Sequence, residues 1–322
     1  MRKAIWIVPL CLLAVLAFAS LMVGSSSYPA GEVVRTLLGK GGDPALSYII
    51  SSMRLPRTIA ALLCGMVLAT SGCLFQAVLR NPMADPFVLG VSSGGALGAA
   101  IALTFGLTDL TAPAMAGGIA SAFLVLLLSL RHQSQTRLIL TGVALNYLCS
   151  SLMTLCMMLD YDQYQRIIFW TMGSFSTVTF QGVRILAISY LLSLVPLMLV
   201  AGSLDLLLLD DASALSMGLD IHRTRMLAIA IATFPVAVSV AWFGVIGFVG
   251  LLAPHVARLL VGPSHKRLLP LSALLGADLL LASDLICRVV LPSGELPAGV
   301  ITSLLGTPLL ILMLHRGSVR HG

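Results

Sequence analysis

The sequence predicts an all-α polytopic membrane protein, with about ten transmembrane helices in a single domain that covers residues 1–322. The composition is the first reason: 58% of the residues are hydrophobic, only 10% are charged, and the mean hydropathy is +1.01. Soluble proteins carry about 25% charged residues. The second reason is that the apolar residues fall into runs of about 20, the helix length that crosses ~30 Å of hydrocarbon.

Ten apolar runs are the predicted crossings. In chain order they are 4–24, 58–79, 89–107, 112–130, 138–159, 185–204, 226–246, 247–262, 269–286 and 297–314. No polar break separates 226–246 from 247–262, and we expect a short turn there near Gly244 and Gly247. The division of that stretch into two helices depends on the family resemblance described below.

Two segments outside these runs are predicted to contain short helices. Residues 25–53 are polar and rich in glycine and proline, so we expect an external loop with one short helix at 30–38. Residues 160–183 are also predicted to lie outside, with a short helix at 167–172 along the membrane interface. Trp170 in this helix is typical of the headgroup level.

The distribution of lysine and arginine sets the predicted orientation. The apolar run after Met1-Arg2-Lys3 exceeds the roughly 7–15 apolar residues of a secretory signal, which favours an uncleaved first helix. With both termini in the cytoplasm, twelve basic residues face inward and seven outward, as the positive-inside bias requires. The inward set is Arg2, Lys3, Arg80, Arg131, Arg137, Arg223, Arg225, Arg258, Lys266, Arg267, Arg316 and Arg320, and the outward set is Arg35, Lys40, Arg54, Arg57, Arg166, Arg184 and Arg288.

Several kinds of chemistry have no support in the sequence. The six cysteines lie in or at the ends of apolar runs without a C-x-x-C pair, so neither disulfides nor a metal site are predicted. The net charge of +6 follows from membrane topology and lipid contact, and nothing indicates nucleic-acid binding. No G-x-x-x-x-G-K-[ST] loop and no hydrolase motif is present. Energy for uphill transport must therefore come from a partner or an ion gradient.

Four sequence blocks follow one another between residues 54 and 100. They are RLPR at 54–57, SG-x-x-x-Q at 71–76, RNP-x-ADP at 80–86 and LGVSSG-x-x-LGA at 89–99. In this order the blocks resemble the permease family for ferric-siderophore, haem and vitamin B12 uptake, the FecCD/BtuC-like membrane subunits of type II ABC importers. Residues 244–267 match a further block of that family. Several ordered blocks are far more specific than one short motif.

The resemblance implies the type II ABC importer permease fold and a transport subunit that is not itself an enzyme. The implied partners are a second copy in a homodimer, two ABC ATPase subunits in the cytoplasm and an extracytoplasmic substrate-binding protein. ATP and magnesium would be held by the ATPase, and this chain would bind no cofactor. The implied location is the cell inner membrane. The implied cargo is a ferric siderophore first, then cobalamin or haem, and W-x-x-G-S-F at 170–175 resembles the iron-chelate branch.

Family positions map onto four groups of residues. The predicted cytoplasmic gate consists of Asn81, Met83, Ser134 and Gln135, the last two by a looser alignment. The predicted ATPase-coupling segment, 205–225, consists of two short helices bent at a glycine and contains Asp211, Ala212, Ala214 and Gly218. The predicted docking site for the binding protein consists of Arg54, Arg57 and Arg288 at external helix ends. The predicted pathway lining consists of Ser150, Met153 and Met157.

The docking arginines also have a purely local interpretation. Arg288 lies four residues after Asp284, so the two side chains are predicted to pair on one helix face. Arg54 and Arg57 would then reach lipid headgroups with their charged ends.

An ion-coupled secondary transporter is the alternative to an importer subunit. It would use Asp278 or His255 as its ion site, because ionisable residues inside a membrane mark ion pathways. Secondary carriers usually place several ionisable or unwound elements near the membrane midplane. This sequence offers few, which favours the importer.

Overall fold

The computed structural model describes residues 4–24, 26–41, 43–129, 135–291 and 294–318, and every secondary-structure element in these ranges is helical. The α-helices are α1 (Ala4–Met22), α2 (Ala30–Leu37), α3 (Pro44–Tyr48), α4 (Leu55–Val78), α5 (Val91–Thr104), α6 (Thr111–Ser129), α7 (Gln135–Leu159), α8 (Tyr164–Thr171), α9 (Phe180–Leu207), α10 (Asp211–Ser216), α11 (Ile221–Phe243), α12 (Val249–Val261), α13 (His265–Val289) and α14 (Ala298–Ser318).

Each of the ten predicted apolar runs forms a helix. In the described part of the chain, seven helices are long and apolar enough to cross a membrane, and α5, α12 and α14 contain shorter apolar stretches. Between α11 and α12 the backbone leaves helical geometry at 244–248, with φ of +73° at Gly244 and +69° at Phe248. The expected turn is therefore confirmed, and it separates two helices that hydropathy alone could not divide.

Helix α4 lies at the centre of the bundle and is buried along most of its length. It packs against α9, α11, α12 and α13. Glycines allow the closest of these contacts: a Cβ on Gly65 would lie 2.3 Å from the carbonyl oxygen of Gly276 in α13, and one on Gly72 would lie 1.8 Å from that of Gly250 in α12. Small residues at helix crossings are the usual device for close packing in membranes.

The segment before α4 differs from the predicted external loop. Helix α2 forms as expected, but α3 and a π-helical segment, Ile49–Arg54, continue directly into α4. Asp43 starts this extension, because its carboxylate accepts a hydrogen bond from the backbone N–H of Ala45 at 2.9 Å and Pro44 occupies the first helical position. The loop prediction missed this start signal. Helix α8 also begins earlier than predicted, at Tyr164.

The direction of α4 defines the two ends of the bundle. Arg54 and Arg57 stand at its N-terminus, and Arg288 near the C-terminus of α13 lies beside them; we name this the arginine end. The chain turns sharply at 79–90, after the C-terminus of α4; we name that the corner end. Helix α4 has 24 residues, which places the two ends about 36 Å apart.

Candidate functional site

The corner at 79–90 is held by its own short polar side chains. The side-chain oxygen of Asn81 accepts a hydrogen bond from the backbone N–H of Met83 at 2.9 Å, and that of Asp85 accepts one from the N–H of Phe87 at 2.9 Å. Gly90 has φ of +81° and joins the corner to α5. Burial raises the pKa of Asp85 to about 6, against the opposing effect of its hydrogen bond.

Two of the four predicted gate residues lie in this corner. The side chains of Asn81 and Met83 are half-buried, and the Asn81 amide is engaged within its own turn. Gln135 is the first residue of α7, and Ser134 lies outside the described residues. Their assignment to a gate stays a prediction.

The coupling segment contains one short helix instead of two. Asp210 caps α10 by accepting hydrogen bonds from the N–H and hydroxyl of Ser213 at 2.9 and 2.8 Å, and these bonds lower the pKa of Asp210. Helix α10 ends at Ser216, and Gly218 follows with φ of +80°, the left-handed conformation that favours glycine. Asp220 then caps the long helix α11 directly, which leaves no room for the second short helix.

The α10 segment packs the small side chain of Ala214 against the bundle and exposes larger apolar side chains on the opposite side. Ala214 is fully buried and Leu219, just after the helix, is also buried. Leu215 and Met217 are 60% and 62% exposed, and Ala212 is exposed beside them. Exposed apolar side chains grouped outside the membrane-crossing helices are typical of a contact site for another protein.

Arginines connect α10 to the rest of the corner end. The Nη2 atom of Arg80 lies 2.5 Å from Oδ1 of Asp211, and its Nε donates to the carbonyl oxygen of Leu207 at the end of α9, at 2.6 Å. Arg225 in α11 approaches the same Asp211 oxygen at 3.6 Å. Asp211 is 58% exposed, so this cluster lies at the surface.

Asp205, near the end of α9, fixes the start of α13. One of its oxygens accepts from the backbone N–H of His265 at 2.8 Å and contacts Nδ1 of that ring at 2.6 Å, while the other accepts from the Ser264 hydroxyl at 3.1 Å. This capping across helices was missed by the sequence prediction, because cap patterns are recognised only between near neighbours in the chain.

The arginine end contains a buried ion network. Arg57 contacts both oxygens of Asp284, with Nη2 to Oδ1 at 2.8 Å, and its Nη1 lies 2.6 Å from Glu295. Arg288 pairs with the other side of Asp284 and donates to the carbonyl oxygen of Ser20 in α1 at 2.9 Å. Asp284 is 1% exposed and Arg288 is buried. The pairing of Arg288 with Asp284 is therefore confirmed.

Arg54 is held differently from its two neighbours. Its guanidinium donates to the carbonyl oxygens of Leu21, at 2.8 Å, and Ser26, and lies 4.9 Å from the centre of the Tyr28 ring. The three arginines and Glu295 line a cavity of about 560 Å³ that opens beside the start of α9. The docking of a binding protein at this cavity stays a prediction. Arg54 is buried and bonded to backbone carbonyl oxygens, so it does not extend to lipid headgroups as the local interpretation expected.

The predicted pathway and ion-site residues lie in separate places. On α7, Ser150 is exposed, while Met153 and Met157 are half-buried against the cluster of Ala100, Leu103 and Ile167. In α13 both carboxylate oxygens of Asp278 are buried without a hydrogen-bond partner among the described residues, and so is Nδ1 of His255 in α12. The described residues contain no group of three or more potential metal ligands.

A bundle of apolar helices with ion-paired clusters at both ends and a capped helix outside the crossings defines a multi-pass membrane protein. The comparisons with known proteins identify it more closely. The chain belongs to the FecCD transport family, whose model matches residues 12–316. It is accordingly a transport subunit of the ABC importer type and a multi-pass protein of the inner membrane.

Full-length relatives support this membership. The chain is 37% identical to the uncharacterized ABC transporter permease YvrB of Bacillus subtilis, over 98% of this chain and 95% of the relative. It is also 37% identical to the vitamin B12 import system permease BtuC of Klebsiella pneumoniae, over 99% of this chain and 96% of that protein. The family resemblance inferred from the sequence blocks is confirmed.

Solved structures show the same fold. A metal-chelate type ABC transporter in an inward-facing conformation matches with a TM-score of 0.88 and 33% identity, covering 98% of this chain and 100% of that one. PsaBC from Streptococcus pneumoniae matches with a TM-score of 0.58 at 19% identity, over 87% of this chain and 94% of that one, and shares the fold alone. The predicted importer permease fold is confirmed.

Proposed function

We propose that the chain is the membrane half of an importer that takes a metal chelate from an extracytoplasmic binding protein and is driven by a separate ABC ATPase. The observation that carries the proposal is α10, which presents Leu215 and Met217 outside the crossings while Asp211 ties the helix to the corner. Membership of the family makes an ABC ATPase the partner that would cover this apolar surface.

The corner end then faces the cytoplasm and the arginine end faces outward. The excess of basic residues in the inward set, twelve against seven, supports this orientation. Arg54, Arg57 and Arg288 supply three positive charges around the outer cavity against the two negative charges of Asp284 and Glu295. The remaining positive charge suits acidic side chains of a binding protein, and such contacts speed association.

A homodimer would place the transport pathway between two copies. Helix α7 exposes large apolar side chains along its length, as does α14; they include Leu140, Tyr147, Leu148, Leu155, Leu304 and Ile311. Two-fold symmetry would bury one such face of each copy and leave the other faces to lipid. Ser150, on the exposed side of α7, would then line the pathway. In a background without the six native cysteines, a cysteine in place of Asn81 should cross-link between the two copies in at least one nucleotide state if this corner forms the gate.

The cargo we propose is a bulky metal chelate. The relatives support this class, since one imports vitamin B12 and a matching structure is a metal-chelate type transporter. The W-x-x-G-S-F pattern at 170–175 favours a ferric siderophore, with cobalamin and haem as the next candidates.

Reconstitution tests the function directly. The permease is purified with the ATPase and binding protein encoded nearest to it and placed in liposomes, and uptake of radiolabelled ferric siderophore, cobalamin and haem is measured. We expect uptake of one chelate that requires ATP, the loaded binding protein and the P-loop lysine of the ATPase. Uptake driven by a proton or sodium gradient without ATPase would instead show a secondary transporter.

A further inference from the structure

Arg80 occupies a backbone position that normally belongs to glycine. Helix α4 ends in a Schellman motif, in which the N–H of Asn81 bonds to the carbonyl of Gln76 at 3.1 Å and the N–H of Arg80 bonds to that of Ala77 at 3.2 Å. The residue at the turn of this motif takes a left-handed conformation, and Arg80 has φ of +45°. Side chains with a Cβ are strained there, so the motif gains nothing from an arginine.

The same motif at the end of α10 shows the usual solution. There the N–H of Leu219 bonds to the carbonyl of Ala214 at 3.1 Å, the N–H of Gly218 bonds to that of Leu215 at 2.9 Å, and Gly218 takes the left-handed position. A strained backbone conformation persists only where contacts of the surrounding structure hold it in place, and such residues are concentrated at functional sites. The left-handed backbone of Arg80 therefore suggests that its side chain has a function.

Two contacts of the Arg80 side chain account for an arginine at this strained position. Its Nε donates to Leu207, the last residue of α9, and its Nη2 pairs with Asp211, the first residue of α10. One guanidinium therefore bridges both sides of the connection between α9 and α10. The next residue along the chain from Arg80 is Asn81, in the corner predicted to form the gate.

We propose that Arg80 is a positioning residue that transmits movement of α10 to the corner at 79–90. The inference rests on the proposed function, in which the ATPase moves α10 and the corner closes the pathway. Because the guanidinium is attached to the corner itself, a shift of α10 pulls on the corner without passing through the buried body of α4. Asp211 is the contact on the moving side.

Replacing Arg80 with glycine separates this role from a structural one. Arg80→Gly removes the guanidinium and also relieves the left-handed backbone, so the melting temperature in detergent should be unchanged or higher. In the reconstituted importer, ATP hydrolysis stimulated by the loaded binding protein should persist, while chelate imported per ATP falls about threefold, the scale of a partly exposed ion pair. Arg80→Gln should uncouple similarly without relieving the backbone.

Arg166→Gln is the matched control. It removes another exposed arginine contact, in which Nη1 of Arg166 donates to the side-chain oxygen of Gln163 at 2.9 Å. This contact lies at the start of α8, outside both the coupling segment and the corner. Chelate imported per ATP should match the wild type in this variant. A fall equal to that of Arg80→Gly would show that any lost surface charge has the effect, and would overturn the proposal.

A double-mutant cycle assigns the effect to the contact with Asp211. Asp211→Asn alone should lower chelate imported per ATP, because it breaks the pair with Arg80. Combined with Arg80→Gly, it should lower the ratio by less than the sum of the two single losses, because both variants break this pair while the contacts of Asp211 with Arg225 and of Arg80 with Leu207 are separate. Additive losses, or normal coupling in Arg80→Gly, would overturn the proposal. If the wild-type importer shows no ATP-driven uptake at all, the proposed function fails instead, so the two failures are distinguishable.

Discussion

The two ends of the bundle use arginine–carboxylate pairs in opposite environments. At the arginine end, Asp284 is almost completely buried between Arg57 and Arg288 and joins α4 to α13. At the corner end, Arg80 and Asp211 are 24% and 58% exposed. Breaking a buried pair leaves an uncompensated charge and costs about 3–5 kcal/mol, whereas an exposed pair contributes about 0–1 kcal/mol.

This difference assigns different mechanical roles to the two ends. A pair that is strongly unfavourable to break holds α4 and α13 in one arrangement, so the arginine end acts as a scaffold. A weak, exposed pair is easily remade in another geometry, as a joint that moves during each transport cycle requires. Asp205 adds a fixed point near the joint, because it holds the start of α13 against α9.

The largest expected effect tests this contrast directly. Asp284→Ala leaves Arg57 and Arg288 without their shared carboxylate, and we expect the free energy of unfolding to fall by about 3–5 kcal/mol. Asp211→Ala, the matched change at the corner end, should cost below about 1 kcal/mol. Denaturant unfolding of the detergent-solubilised protein measures both. Equal losses in the two variants would remove the distinction between scaffold and joint.

The second effect concerns the turn after α10. Gly218→Val forces a β-branched residue into φ of +80°, which costs about 1–3 kcal/mol. The turn that follows α10 should therefore change its conformation, and the helix should lose its fixed orientation. We expect uptake and binding-protein-stimulated ATP hydrolysis to fall together while the protein still inserts. Gly202→Val in α9 is the control, because a Cβ there meets no atom within 4 Å and the backbone is helical. Normal transport in Gly218→Val would show that the turn has no part in coupling.

The sequence predicted the helices well and the polar clusters poorly. The apolar runs and the glycine turn at Gly244 follow from local composition, and the structure has them where they were expected. The pair formed by Asp284 and Arg288 was also visible, since its members are four residues apart. The pairs of Arg57 with Asp284 and of Arg80 with Asp211 join residues 227 and 131 positions apart.

Such distant pairs depend on how helices cross, which a single sequence does not specify. Hydropathy counts an arginine as polar whether it reaches lipid, water or a buried carboxylate. The extended helix before α4 was missed for another reason: the Asp43-Pro44 start signal was visible, but the polar and glycine-rich composition around it indicated a loop. The one short helix in the coupling segment follows from Asp220, which caps α11 at once.

A third prediction uses Glu295, which the sequence analysis did not single out. Glu295 is partly exposed at the outer cavity, and its carboxylate pairs with Nη1 of the Arg57 guanidinium. If a binding protein brings its own carboxylate to this arginine, Glu295 competes with it. Glu295→Gln should then strengthen docking by about 1 kcal/mol, roughly fivefold in affinity, mainly through slower dissociation.

Surface-immobilised permease and soluble binding protein measure this docking at low and high salt. Arg57→Glu is a poor probe by comparison, because it adds a third carboxylate beside Asp284 and Glu295 and would disturb the fold. Glu32→Gln, at an exposed position in α2, is the control for a changed surface charge. Weaker docking of Glu295→Gln would mean that Glu295 assists the partner and does not compete with it.

The smallest expected effect concerns Asp85, a partly buried carboxylate at the corner end. It tests whether every charged group at this end contributes as little to stability as the exposed pair of Arg80 and Asp211. Burial raises its pKa to about 6 in the folded protein, above the ordinary value of 3.8. The folded state therefore binds a proton more tightly than the unfolded state, and the contribution of Asp85 to stability is greatest below about pH 4 and is lost as the pH rises through 6.

Asp85→Asn keeps an oxygen to cap Phe87 but cannot ionise. A rise of the pKa from 3.8 to about 6 corresponds to about 3 kcal/mol for a fully desolvated carboxylate. Water screens the partly exposed Asp85, so we expect this variant to be more stable than the wild type by about 1 kcal/mol at pH 7.5, with the difference shrinking toward pH 5. Paired thermal melts in detergent at the two pH values measure this difference, and an advantage independent of pH would show that the corner accommodates the charge without penalty.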